Sequence, residues 1–267
     1  MRNHVQTQPS SKIPFRPRKI RRLSSPSKSL PPSAPSIPLI PRAIARPLSS
    51  DGEIELSLRH LRSSDHSLVS VIDSLAPPSF ESSSPPFISL TKSILYQQLA
   101  TKAAKTIYGR FLTLCSGGGD GEPLVSPETV LGLSAQQLRQ VGVSGRKASY
   151  LHDLAGKYRD RVLSDSSILE MDDEALLRVL TTVKGIGVWS VHMFMMFSLH
   201  RPDVLPVGDL GVRKGVQLLY NLKELPKAVE MEEVCEKWKP YRSVGSWYMW
   251  RLMESKSNKA LAPVEKV

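Results

Sequence analysis

Residues 180–215 read LTTVKGIGVWSVHMFMMFSLHRPDVLPVGDLGVRKG, and this stretch decides the fold. Just upstream, Asp172-Asp173-Glu174 place acidic side chains where a helix N-terminus favours negative charge. Leu176, Leu180 and Val183 then recur on one face. The spacing predicts a helix that stops at Gly185-Ile186-Gly187 and a second that begins with Val188-Trp189-Ser190. Glycines at both ends of so tight a turn allow positive φ and a close approach to another surface. The free N–H groups of the second helix then suit a phosphate oxygen, with Ile186 plugging the gap between the helices. A Gly–apolar–Gly turn alone is more often a plain corner than a binding motif. Ile186, Trp189, Met193, Phe194 and Phe197 read mostly as core in either case.

Further along, Asp209 follows Pro206 and Gly208 at the predicted start of another helix. An isolated Asp there is ordinarily an N-cap. The same position also suits a catalytic anion, because the helix dipole favours negative charge. A carboxylate so placed can stabilise a positive charge that develops nearby and orient a water.

Outward from this segment the pattern is helical. One helix is expected over Leu61–Leu75, halted by Pro77-Pro78, and a long one over Phe87–Leu114, where Ile94, Leu95, Leu99, Ala103 and Ile107 recur near helical spacing. Residues 116–127 read as a Gly/Pro-rich surface loop. Helices are then expected at Pro127–Leu133, Ser134–Val141, Gly145–Val162, Asp172–Val183, 188–200, 209–221, Met231–Lys237 and Tyr241–Ser255. No alternating apolar run marks a strand, so the predicted class is all-α, without a metal or disulfide staple.

Charge and composition limit the alternatives. The 36 Lys and Arg against 25 Asp and Glu give a net charge of +11. Residues 1–50 hold 10 basic and no acidic residues, leaving 26 basic against 25 acidic, or +1, for the rest. The basic excess therefore describes a tail and does not itself establish a nucleic-acid-binding core. With 10 prolines and 10 serines, residues 1–50 are predicted to be disordered. RPRKIRR at 16–22 reads as a nuclear localisation signal or a DNA-gripping arm. An acid-free, Arg- and Ser-rich N-terminus also resembles an organellar transit peptide; the basic run tips the expectation towards the nucleus. Cys115 and Cys235 are too few for a disulfide framework or a four-thiolate iron–sulfur cluster. No run of about 18 apolar residues is long enough to span a membrane.

Taken together, residues 180–215 resemble the signature of the helix-hairpin-helix (HhH-GPD) DNA glycosylase superfamily, most closely its DNA-3-methyladenine glycosylase II type. Three further segments are similar to it: SILYQQLATKAA at 93–104, SGRKASYL at 144–151 and WKPYRSVGSWYMW at 238–250. The resemblance covers roughly residues 55–255. It implies a two-lobed helical domain over 51–258, with the helix-hairpin-helix at 172–200, a cleft between the lobes, and a short tail at 259–267. Too few residues precede the helical core for a separate N-terminal β-domain.

The resemblance also implies roles. Asp209 becomes the catalytic carboxylate. Bifunctional members carry a Schiff-base lysine two residues after the second hairpin glycine, where this chain has Trp189, so base release without strand cleavage is expected. Tyr241 is expected as a wall of the base pocket near Asp209, with Trp189, Trp247 and Trp238 as further stacking candidates. Gln98 and Leu99 fall where the family inserts a wedge into the duplex. Gly185, Ile186, Gly187 and Lys184 are expected at the DNA backbone, with Lys147 and Arg213 as additional phosphate contacts. No cofactor or metal is implied, and the expected partner is damaged double-stranded DNA, bound by a monomer. An N-alkylated purine is cationic while attached and leaves without a strong general acid. Flipping it out costs a few kcal/mol, which stacking at about 1–3 kcal/mol per base and cation–π attraction offset. Two other readings stay open: a non-catalytic binder of damaged DNA, which would have no need of Asp209, and a glycosylase/lyase, which Trp189 opposes.

Overall fold

The structure, a computed structural model, describes residues 45–80, 84–117 and 124–261, with side chains as far as residue 256. RPRKIRR and the centre of the loop at 116–127 lie outside the described residues. Among those described there are thirteen α-helices, one 3-10 turn and no strand.

Two apolar cores organise the chain, and both lie in the compact unit that begins at Ile44. The first is built from α3 (Pro86–Tyr96), α4 (Thr101–Cys115), α5 (Pro127–Gly132), α6 (Ala135–Gln140), α7 (Gly145–Arg159), α8 (Asp165–Glu170), α9 (Asp173–Leu180) and α10 (Val188–Phe197). Leu90, Ile94, Phe111, Leu151, Leu154 and Met196 are among its buried side chains. The second joins α1 (Glu53–Ser64) and α2 (His66–Ser74) to α11 (Leu210–Leu219), α12 (Ala228–Val234), a 3-10 turn (Glu236–Trp238) and α13 (Arg242–Leu261). Leu48, ahead of the expected boundary at residue 51, is buried in this second core and donates its N–H to His200 O at 2.8 Å. Trp250 packs against both cores.

Two helices expected to run unbroken are divided. The first starts at Glu53 and ends at Asp65, whose extended backbone and side-chain bond to Ser67 N begin α2. The residue that interrupts the apolar stripe is thus a cap. The second, expected over Phe87–Leu114, breaks between Tyr96 and Thr101, because Gln98 takes φ +54°. A non-glycine residue there costs on the order of 1 kcal/mol or more. An additional helix, α8, starts from a reciprocal Ser164–Ser167 cap that the periodicity did not show. No helix among the described residues is long and apolar enough to cross a membrane.

Candidate active site and DNA-facing loops

Asp209 sits at the seam between the two cores. Its backbone is extended (φ −75°, ψ 121°), and Oδ1 accepts the Val212 N–H at 2.8 Å, so it is the N-cap of α11. Capping leaves most of the carboxylate for other partners. Oδ2 accepts the Trp189 indole N–H at 2.7 Å, and Oδ1 also accepts that of Trp250 at 2.8 Å. One donor comes from α10 in the first lobe and the other from α13 in the second. Three donors fix the plane of the carboxylate. Gly211 makes the approach of Trp250 possible, since a Cβ there would meet the indole at 2.8 Å and Asp209 Oδ1 at 3.2 Å.

A cavity of about 270 Å³ opens beside the carboxylate, lined by Trp189, Met193 and Phe197 from α10 and Trp247, Trp250 and Arg251 from α13. Trp189 is 53 % exposed. Its indole face is therefore free although its N–H is engaged. Val188 and Leu210, each next in sequence to a residue that lines the cavity, are exposed as well. Trp247 stands edge-on to Tyr248, and the Arg251 guanidinium lies 5.6 Å from its ring centroid.

The hairpin follows the predicted path. Gly185 takes φ +80°, and a Cβ on it would lie 2.1 Å from the Tyr150 ring. Only glycine meets both conditions. Gly187 differs from expectation: its φ is −101°, which any residue adopts, and open space surrounds its missing Cβ. It is the N-cap of α10 and supplies no side chain to the first N–H groups of that helix. Ile186 is buried in the first core, filling the gap as anticipated. The Lys184 N–H donates to Asp153 Oδ2 at 3.0 Å, while its ammonium lies 3.8 Å from Oδ1 and is largely exposed. Gln98 and Leu99 project from the α3–α4 turn, both exposed.

Four assignments change. Tyr241 does not line the cavity with Asp209. It is 8 % exposed, its hydroxyl donates to Glu53 Oε1 at 2.8 Å, and its ring packs near His60 in the second core. Burial and the Glu53 carboxylate push that hydroxyl up to about 12. Trp238 is fully buried, donates to Asp65 Oδ2 at 2.8 Å and offers no face to a base. Lys147 does not reach out to a phosphate. Its ammonium donates to Leu95 O at 2.7 Å and Gln97 O at 2.8 Å, and burial lowers its pKa from the usual lysine value. Arg213 turns its Nε to Pro226 O at 2.8 Å. For Tyr241, Trp238 and Lys147 a tertiary acceptor takes the polar group that the sequence left unassigned; for Arg213 it takes Nε. Conversely, Trp250 and Gly211 went unrecognised as partners of Asp209. Gly211, two residues after it, was the available sign that something packs closely there.

The indole contacts carry a prediction. Trp250→Phe keeps most of the packing and deletes one donor to a charged acceptor, a bond worth about 1.5–3 kcal/mol. Single-turnover base release is expected to fall roughly ten- to hundredfold, with affinity for an abasic-site duplex unchanged. Quench-flow and fluorescence anisotropy measure the two quantities; equal losses in both would assign Trp250 to binding.

Comparison with known proteins agrees with this geometry. Residues 91–240 match the HhH-GPD superfamily of base excision DNA repair proteins. DNA-3-methyladenine glycosylase 1 of Schizosaccharomyces pombe is 30 % identical over 198 residues, covering 74 % of this chain and 85 % of that one. A DNA-3-methyladenine glycosidase structure from Bacillus halodurans superposes with a TM-score of 0.66 at 31 % identity, covering 80 % of this chain and 94 % of the other. An S. pombe 3-methyladenine DNA glycosylase in complex with abasic DNA gives 0.63 at 27 % identity, covering 79 % and 100 %. With its hairpin, interlobe carboxylate and two-core architecture in place, the chain belongs to the HhH-GPD superfamily of base excision DNA repair proteins.

Proposed function

We propose that this protein is a monofunctional DNA glycosylase that hydrolyses the N-glycosidic bond of alkylated purines in duplex DNA. The observation that carries the reading is the Asp209 carboxylate, held from both lobes by Trp189 and Trp250 beside an aromatic cavity. The names of its relatives and the abasic DNA in one related structure support the same substrate class.

In this reading the Gly185–Gly187 hairpin grips a backbone phosphate through N–H groups at the start of α10. Gln98 and Leu99 fill the space left in the duplex, and the flipped base stacks in the cavity. The C1′–N bond breaks with its electron pair leaving on the cationic base, which departs neutral. Asp209 stabilises the oxocarbenium sugar. A water oxygen then bonds to C1′ and gives its proton to the Asp209 carboxylate, which returns it to solvent. Trp189 stands where a Schiff-base lysine would be needed, so no covalent enzyme–sugar intermediate forms.

Purified protein incubated with methylated duplex DNA is expected to release free 3-methyladenine and leave heat-labile, unnicked abasic sites. Chromatography of the released bases and a denaturing gel read the two results. Prompt nicking would identify a lyase, and binding without release would identify a non-catalytic damage binder.

A further inference from the structure

Helix α7 touches both loops that the proposed function places against DNA. Lys147, Tyr150 and Asp153 follow one another at three-residue spacing and share a side of the helix. Lys147 donates to Leu95 O and Gln97 O, carbonyls at the C-terminal end of α3, where the helix leaves acceptors without partners and a cation meets the negative end of the dipole. Tyr150 lies flush against Gly185. Asp153 accepts the Lys184 N–H at 3.0 Å. A further bond closes the circuit directly, from Gln97 Nε2 to Gly185 O at 2.9 Å. The turn so held contains Gln98 at φ +54°, a conformation that persists where its surroundings over-determine it.

We propose that α7 is a brace that fixes the Gln98–Leu99 wedge turn against the phosphate-gripping hairpin, with Lys147, Gln97, Tyr150 and Asp153 as positioning residues. The inference rests on the DNA-facing reading of those two loops. Its physical content is a fixed separation. Once the hairpin is seated on a phosphate, the wedge arrives at a set base step without a search of its own, and grip and insertion become one event. A turn freed from the brace still binds DNA through the hairpin, but pushes a base out less effectively. The loss then concentrates on substrates whose base must be extracted from a sound pair, since a weakened pair lowers the cost of flipping.

The test uses the full chain with Lys147→Met, which keeps the aliphatic stem and removes the donors, and with Gln97→Met, which cuts only the bond to Gly185. Single-turnover release of 7-methylguanine is compared when the lesion faces cytosine and when it faces an abasic-site analogue. Both variants are expected to lose at least about tenfold on the paired lesion and to approach the unsubstituted protein on the unpaired one. A second readout needs no chemistry: the fluorescence rise of 2-aminopurine beside a tetrahydrofuran site reports wedge insertion, and it should be reduced in both variants at saturating protein. Equal losses on the two substrates, or an unchanged 2-aminopurine signal, overturn the brace. Should Lys147→Met fail to fold, Gln97→Met decides by the same criteria. Should the unsubstituted protein release no base, the functional reading fails while the 2-aminopurine comparison still judges the brace.

Discussion

Asp209→Asn is expected to lower single-turnover base release by at least about 10³-fold while leaving abasic-site DNA bound. The substitution is nearly isosteric. Asn is as good an N-cap as Asp, so α11 retains its start through Val212 N. What is lost is the charge that faces the oxocarbenium sugar and the base that receives the water proton. One indole is also left without an acceptor: the carboxylate takes Trp189 on one oxygen and Trp250 on the other, and an amide offers a single oxygen. Removing an anion that faces a polyanion should hold or tighten the affinity for DNA. Rapid-quench assays with a methylated duplex and anisotropy with an abasic analogue separate the two effects. Release by the Asn variant at the unsubstituted rate would remove Asp209 from the chemistry.

Asp65→Ala is expected to have the largest effect on stability. Asp65 is 3 % exposed and accepts from Ser67 N at 3.0 Å, Trp238 Nε1 at 2.8 Å and the Tyr220 hydroxyl, with Lys237 Nζ 3.3 Å away. Truncation strands the buried Trp238 indole N–H and the half-buried Tyr220 hydroxyl and deletes the α2 cap, while the exposed Lys237 ammonium turns to water. The donors left without an acceptor cost about 1–3 kcal/mol and the lost cap about 1 kcal/mol, together a fall in Tm on the order of 10 °C for a domain of this size. Burial alone would raise the carboxyl, but the bonds from Tyr220, Trp238 and Ser67 and the Lys237 charge outweigh it, so its pKa lies below the usual 3.8. A folded pKa below the unfolded one gives stabilisation that is complete above the unfolded value and is lost as pH falls through the folded one. The difference in stability between the two proteins should therefore be constant near neutrality and shrink below pH 3.8. Denaturant melts across that range measure it; a difference that grew on acidification would contradict the network.

What could be read in advance follows from how local each signal is. The hairpin and Asp209 were legible because glycines, prolines and caps act on the chain within a few residues. The break at residues 97–100 was not, since it contains neither glycine nor proline and Gln98 is held at positive φ by contacts from elsewhere. Of the aromatic residues in 238–250, Trp247 lines the cavity as expected, Trp238 and Tyr241 do not, and Trp250 was not among the candidates. Trp238 and Tyr241 point to Asp65 and Glu53, 173 and 188 residues away, and Trp250 points to Asp209. Helical spacing alone does not distinguish those faces. Lys147 and Arg213 show the same limit: a cation's acceptor is a tertiary fact.

The two indoles that hold Asp209 arrive from opposite halves of the molecule, which gives the reacting group a mechanical meaning. A carboxylate tied to both halves works as a gauge of their spacing. The Trp189 bond is the one that crosses, from α10 to the carboxylate that caps α11. The orientation of the reacting carboxylate thus depends on how closely α10 stands to the start of α11.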